Sequence, residues 1–185
     1  MNAALKYLSY ISLVCASLLF NGCFGSTKVD KYSDMKTVTY VDIDRFMGDW
    51  YVIANIPTFI EKGATNAIES YKLGSSGAIE TTFTFFKNSP DGDKKTYRPT
   101  GFIKNKETNA EWRMQFLWPF KMPFLIIDLD EEYTYTVIGI PSRKYVWIMA
   151  RDHEMDENLY SSILRQLSDI GYDISLIQKI PQDWN

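Results

Sequence analysis

The chain has 185 residues and a formal net charge of −3 at pH 7, with 12 Tyr, 11 Phe and 5 Trp. That length suits one domain plus a targeting segment, and a slight acidic excess without a basic stripe argues against a nucleic-acid partner. One His and two Cys leave no obvious zinc site, and no phosphate loop or nucleophile-elbow motif appears, so no metal and no cofactor is expected.

The first segment reads as a signal peptide over 1–22. One positive charge at Lys6 precedes the apolar run Leu8–Phe20, which is too short to span a bilayer comfortably. Leu19-Phe20-Asn21-Gly22-Cys23 then resembles a bacterial lipobox, in which the Cys is acylated and becomes the first mature residue. Phe20 departs from the usual Leu or Val. The alternative is an ordinary secretory signal that leaves Cys23 as a free thiol, a liability in an oxidising compartment that acylation removes. Phe24 stands where an Asp would resemble an inner-membrane retention signal, so the resemblance implies the outer membrane. The polar, aperiodic stretch 23–37 reads as a lipidated tether, leaving 38–185 as the folded domain.

Val41–Met47 predicts a short helical turn with Asp42 or Asp44 as N-cap. Short alternating runs follow: a strand from Trp50, then about 66–73, 78–87, 95–104, one around Trp112, Met114 and Phe116, then 124–129, 133–140 and 145–151. Gly74-Ser75-Ser76-Gly77 and Ser89-Pro90-Asp91-Gly92 separate them as turns. Trp118-Pro119-Phe120-Lys121-Met122-Pro123 reads as a loop, because two Pro exclude a central strand. Asp156 caps a helix over 157–170 whose Leu159, Tyr160, Ile163, Leu164, Leu167 and Ile170 share one face, with Gly171 as the C′ residue. Ile174–Ile177 is a possible last strand. Many short strands suggest a sandwich or a barrel.

Gly48-Asp49-Trp50-Tyr51 opens the first strand and Trp147-Ile148-Met149-Ala150-Arg151 closes the last, with the turn Asp128–Tyr133 between them. On these three motifs the chain resembles the lipocalin family, and most its bacterial lipoprotein branch. The middle motif matches in part, because the family usually carries Thr-Asp-Tyr where Glu131-Glu132-Tyr133 stands. The resemblance implies an all-β fold: an eight-stranded antiparallel up-and-down barrel with the C-terminal helix packed outside. Strand parity gathers Trp50, the 129–133 turn and Arg151 at one end, so Gly48, Trp50 and Arg151 are expected to close the base.

Alternation makes Phe83, Phe85, Trp112, Met114, Phe116, Phe124, Ile126, Tyr135, Trp147 and Met149 the ligand-lining candidates, with Val52, Ala54 and Val137 on the same inward faces. The list carries no charge. It describes a cavity for an elongated apolar molecule or equally a filled core. At the opposite end, Phe59, Trp118, Phe120 and Lys121 are expected to flank the entrance. Three readings follow: a lipocalin binding fatty acids or lysophospholipids, an enzyme acting on a lipid, and a structural lipoprotein with a filled barrel. The partners implied by the first are a hydrophobic small molecule and a membrane held through Cys23. His153, beside Asp152 and Glu154, reads as a solvated loop residue.

Overall fold

A computed structural model describes residues 35–184. The signal segment, Cys23 and most of the tether lie outside them. In chain order the elements are helix α1 (Ile43–Phe46), strands β1 (Gly48–Ile56), β2 (Ala64–Leu73), β3 (Ile79–Lys87), β4 (Lys94–Tyr97), β5 (Thr100–Ile103), β6 (Glu111–Leu117), β7 (Phe120–Leu129), β8 (Tyr135–Gly139) and β9 (Val146–Ala150), then helix α2 (Glu157–Asp169), a 3₁₀ turn (Ile174–Leu176) and the two-residue β10 (Gln178–Lys179). All pairings are antiparallel, and β9 returns to β1 to close the sheet. With β4 and β5 taken as one strand interrupted at Arg98-Pro99, the result is an eight-stranded up-and-down barrel. Pro99 lacks the N–H a ladder needs, so the strand expected over 95–104 breaks there.

Two other segments depart from the sequence reading. The segment expected as a loop over 118–123 is mostly strand: β7 begins at Phe120, and Pro123 pairs with Arg113 of β6. The ladder from β7 to β8 starts only at Leu125, so 120–123 has a neighbour on one side, and a Pro is tolerated there as on an edge. Ile174–Leu176 is a 3₁₀ turn, started by Asp173 accepting from the Ser175 N–H at 3.1 Å; the last strand follows it. β10 lies on β1 past the point where β1 leaves β2. Gln182 fills the same gap, its side-chain amide donating to the Val52 carbonyl at 2.8 Å.

Two cores result. Inside the barrel lie Phe46, Trp50, Val52, Tyr71, Phe83, Phe85, Trp112, Phe124, Ile126, Ile138 and Met149. Between the wall and α2 lie Ala54, Val137, Ile148, Tyr160, Ile163 and Leu167. Asp156 caps α2, accepting from the N–H groups of Asn158 and Leu159 at 2.9 and 3.0 Å. Its other end closes as a Schellman motif: Tyr172 N–H bonds Leu167 C=O at 2.9 Å and Gly171 N–H bonds Ser168 C=O at 3.0 Å, with Gly171 at φ +92°. The chain enters the described region at Met35, which packs on the outer core.

Candidate functional site: a closed base and an open cavity

The base is built around Trp50. Its indole N–H donates to the Phe46 carbonyl at 2.9 Å, and its ring lies 3.8 Å beneath the Arg151 guanidinium. Arg151 also donates to four carbonyls that the 45–49 segment turns inward: Nη1 to Asp49 at 2.7 Å, and Nη2 to Arg45, Phe46 and Met47 at 2.8, 3.1 and 2.8 Å. Gly48 sits at φ +96°, and a Cβ there would stand 3.3 Å from Arg151 Nη1, so a side chain at 48 would be both strained and pressed on the guanidinium. The third motif joins from the 130–134 turn. Tyr133 accepts from the Asp42 N–H at 2.8 Å, and the Arg45 guanidinium stacks on the Tyr133 ring at 4.2 Å.

Above this seal the lower barrel is solid. Phe46 rises into it as a plug, 5.1 Å from Trp50 and 5.4 Å from Trp112 between ring centres. Trp112 stacks on Phe124 at 5.3 Å. The upper barrel is open. A cavity of about 290 Å³ lies there, lined by Phe83, Met114, Phe116, Met122, Phe124 and Trp147, with Phe59, Tyr97 and Arg98 toward the mouth.

Of the ten ligand-lining candidates, Phe83, Met114, Phe116, Phe124 and Trp147 line this cavity. Trp112, Ile126 and Met149 belong to the solid core, and Phe85 is buried in ring contact with Phe83 and Tyr97. Tyr135 is not inside. It lies in the outer core, beside a shallow groove with Thr134, Asp152 and Leu159. Val137 and Ala54 are outside as well. Lys121 turns away from the entrance: its ammonium stands 3.5 Å over Phe102, and Phe102 opposes Arg113 while the neighbouring Gly101–Met114 pair belongs to the inner face. Trp118 and Phe120 stand in solvent at the tip of the β6–β7 hairpin, 81% and 71% exposed, and neither lines the cavity.

The sequence reading gave the lining no charge, and here the cavity differs most. Glu61 and Glu69 both face it, 3% and 7% exposed. Glu61 is saturated with donors. Oε1 accepts from Asn55 Nδ2 at 3.2 Å and Trp147 Nε1 at 2.7 Å, and Oε2 from the Thr58 N–H and hydroxyl at 2.9 and 2.5 Å. Glu69 sits on β2 opposite Trp50 and Phe83. Its Oε2 accepts from the Tyr71 hydroxyl. Tyr71 is the one hydrogen-bond partner of Glu69 among the described residues, and the Glu69 side chain lines the cavity. Burial pushes the Glu69 carboxyl up to about 7, against the lowering effect of the Tyr71 bond and with a further push from Glu61. Glu69 shares its parity with Ala67 and Tyr71, a signal that tells only once the inward face of β2 is known. Glu61, in an aperiodic loop, carried no such cue.

A family model described as a lipocalin-like domain matches residues 41–182. The outer membrane lipoprotein Blc of Escherichia coli (strain K12) is 23% identical over 171 residues, covering 92% of this chain and 94% of its own. Temperature-induced lipocalin-1 of Arabidopsis thaliana is 29% identical over 159 residues, covering 80% and 83%. Among solved structures, insecticyanin from the tobacco hornworm Manduca sexta superposes with a TM-score of 0.64 at 20% identity, covering 82% of this chain and 85% of that one.

Proposed function

The chain belongs to the lipocalin family, and from that premise we propose that it binds a single-chain amphiphile in the upper half of its barrel. The observation that carries the reading is the cavity: sealed below by the Phe46–Trp112–Phe124 packing, apolar on its walls and open at one end. About 290 Å³ lies at the lower end of the range for small-molecule sites, which favours one acyl chain, as in a fatty acid or lysophospholipid, over two. Binding rather than catalysis fits the polar groups, since four donors from Asn55, Thr58 and Trp147 hold Glu61 in place as a structural acceptor.

Anchoring at the outer membrane through acylated Cys23 completes the proposal. It is supported by the lipobox-like run and by the likeness to outer membrane lipoproteins. Cys23→Ala should leave the protein unprocessed or release it from membranes; a signal-free Cys23→Ala protein that still fractionated with membranes would remove the anchor.

For the ligand, delipidated protein is titrated with a fluorescent fatty acid and competed with unlabelled fatty acid and lysophospholipid. Phe116→Ala and Met122→Ala each strip apolar wall and should weaken binding about fivefold to tenfold, near 1 kcal/mol each, with melting temperatures intact. Absence of saturable binding would overturn the reading.

A further inference from the structure

The cavity holds an acceptor without a donor. Glu69 is 7% exposed and lines the cavity, and among the described residues only Tyr71 donates to it, at Oε2, which leaves Oε1 without a donor there. Most polar hydrogens nearby are already committed, the Tyr71 hydroxyl to Glu69 Oε2 and the Thr58 hydroxyl and Trp147 indole to Glu61, which leaves the Tyr97 hydroxyl on the wall. Glu61 has no acceptor position left over, and Arg98 stands exposed at the mouth. Above about pH 7, where Glu69 is ionised, a ligand carboxylate pushed to the bottom of this cavity would meet two carboxylates with only the Tyr97 hydroxyl left to donate, and a buried charge so placed is costly.

We propose that Glu69 is the receptor for the inserted end of the ligand, and that this end is a hydrogen-bond donor, an amine or a hydroxyl. Such a group supplies the proton that Oε1 lacks, and a protonated amine also offsets the negative charge that Glu61 and Glu69 bring together. A fatty acid can then bind only tail first, its head outside near Arg98. The proposal rests on the reading that the cavity holds an amphiphile. The titratable and charged groups that bear on Glu69 are Glu61 from the β1–β2 loop, Tyr71 from its own strand, Tyr97 from β4, and Arg98 between β4 and β5. Arg151, at the base, acts on Tyr71. With the Glu69 carboxyl near 7, an alkylamine should bind more tightly as pH rises and the site becomes an anion.

The test uses the full chain and three probes of equal length, dodecylamine, dodecanol and laurate, each displacing a neutral fluorescent probe at pH 6 and pH 8. Dodecylamine should bind at least tenfold tighter than laurate at pH 8 and gain severalfold between the two pH values. Glu69→Gln replaces half of the acceptor with an N–H₂ donor. It should lose the amine preference and its pH dependence and should gain affinity for laurate, while its melting temperature at pH 6 reports the intact fold. Dodecanol binding by the unmodified protein without an amine preference, or a preference that survives in Glu69→Gln, overturns the Glu69 assignment alone. If none of the three probes binds, the cavity reading falls and Glu69 falls with it.

The other end of the barrel carries a separate feature. Phe59, Leu117, Trp118 and Phe120 are 83%, 71%, 81% and 71% exposed, and strand direction places all four at the mouth. Exposed apolar groups gathered at one end in this way mark a contact surface. Lys62, Lys94, Arg98, Lys121 and Lys144 stand at the same end against the exposed acids Asp91 and Asp93, although the chain as a whole is acidic.

We infer that the mouth docks on an anionic lipid surface, with the β6–β7 tip in the headgroup layer. Trp is suited to that layer, apolar in body with one polar N–H, and a Lys can cover apolar surface while its ammonium reaches the headgroups. Attraction of the basic rim to the anionic headgroups adds to this. Amide hydrogen exchange of the full chain, with and without vesicles containing phosphatidylglycerol, reads the contact directly. Amides of 116–122 should be protected on the vesicles and those of the base turn 75–77 should not. Trp118→Asp with Phe120→Asp should lose that protection. Equal exchange in both states overturns the docking, as does protection that needs only high protein concentration and no vesicles, the mark of a second copy.

Discussion

Five N–H groups on a rigid fork let Arg151 do what a Lys cannot. One guanidinium covers the Trp50 ring and reaches four carbonyls of the 45–49 segment. A Lys ammonium is a point charge with three donors and cannot stack flat while spanning them. Hydrogen bonds to charged groups contribute about 1.5–3 kcal/mol each before allowance for shared donors and partial exposure. Arg151→Lys should therefore cost about 2 kcal/mol, and Trp50→Ala, with its buried ring, about 3–5 kcal/mol. Urea unfolding of the two single variants and the double variant forms a cycle. Because the groups touch, the double should cost less than the sum by about 1 kcal/mol or more, with ligand affinity spared. Additive losses would show that they do not act as a unit. Both residues were legible because each closes a motif at the same end of the strand count. Glu69 was not, since a Glu between Ile68 and Ser70 looks like an ordinary outward residue until β2 is seen to face its Ala67, Glu69 and Tyr71 inward.

At the scale of elements, alternation worked where only one face of a strand is apolar and failed where both are. On β6, Trp112 and Met114 are buried and Arg113 is not, and the reading was direct. On β8, Tyr135 and Val137 pack beneath α2 while Ile138 faces the interior. Both faces are covered, so period two alone cannot say which is which. On β1 the shift of register between Val52 and Ala54 sends Val52 inward and Ala54 outward although they are two residues apart. A bulge of one residue reverses every later side chain, and nothing in Val-Ile-Ala announces it. The hairpin at 117–120 failed for another reason. Two Pro were weighed against a central strand, but the one-sided ladder at 120–123 is not central. Strand count and direction are insensitive to all three errors, so the barrel and its two ends were legible while individual orientations were not.

The molecule is thus divided along its axis: a packed base that supplies stability, and an upper half that keeps an apolar cavity and a buried acid. The second costs some of what the first provides, and pH exposes the cost. The folded state holds the Glu69 proton up to about pH 7, whereas a solvated Glu releases it near 4.5. Between those values the native protein binds more protons than the unfolded chain, so stability falls as pH rises. The contribution is complete below 4.5 and lost through 7. A gap of this size corresponds to about 3 kcal/mol at most, reduced by whatever water the cavity admits. Carboxylates held below their usual range, such as Asp130 with its Thr134 and Tyr135 bonds, act in the opposite direction and only at lower pH, so they leave this window clear. Urea midpoints measured from pH 5.5 to 8.5 should therefore fall for the unmodified protein and stay nearly flat for Glu69→Gln. A bound amine would offset the loss at pH 8, since a ligand that binds only the folded state stabilises it in proportion to its occupancy. Parallel curves for the two proteins would show that Glu69 is not the group that titrates, and would leave the open half of the barrel without its buried acid.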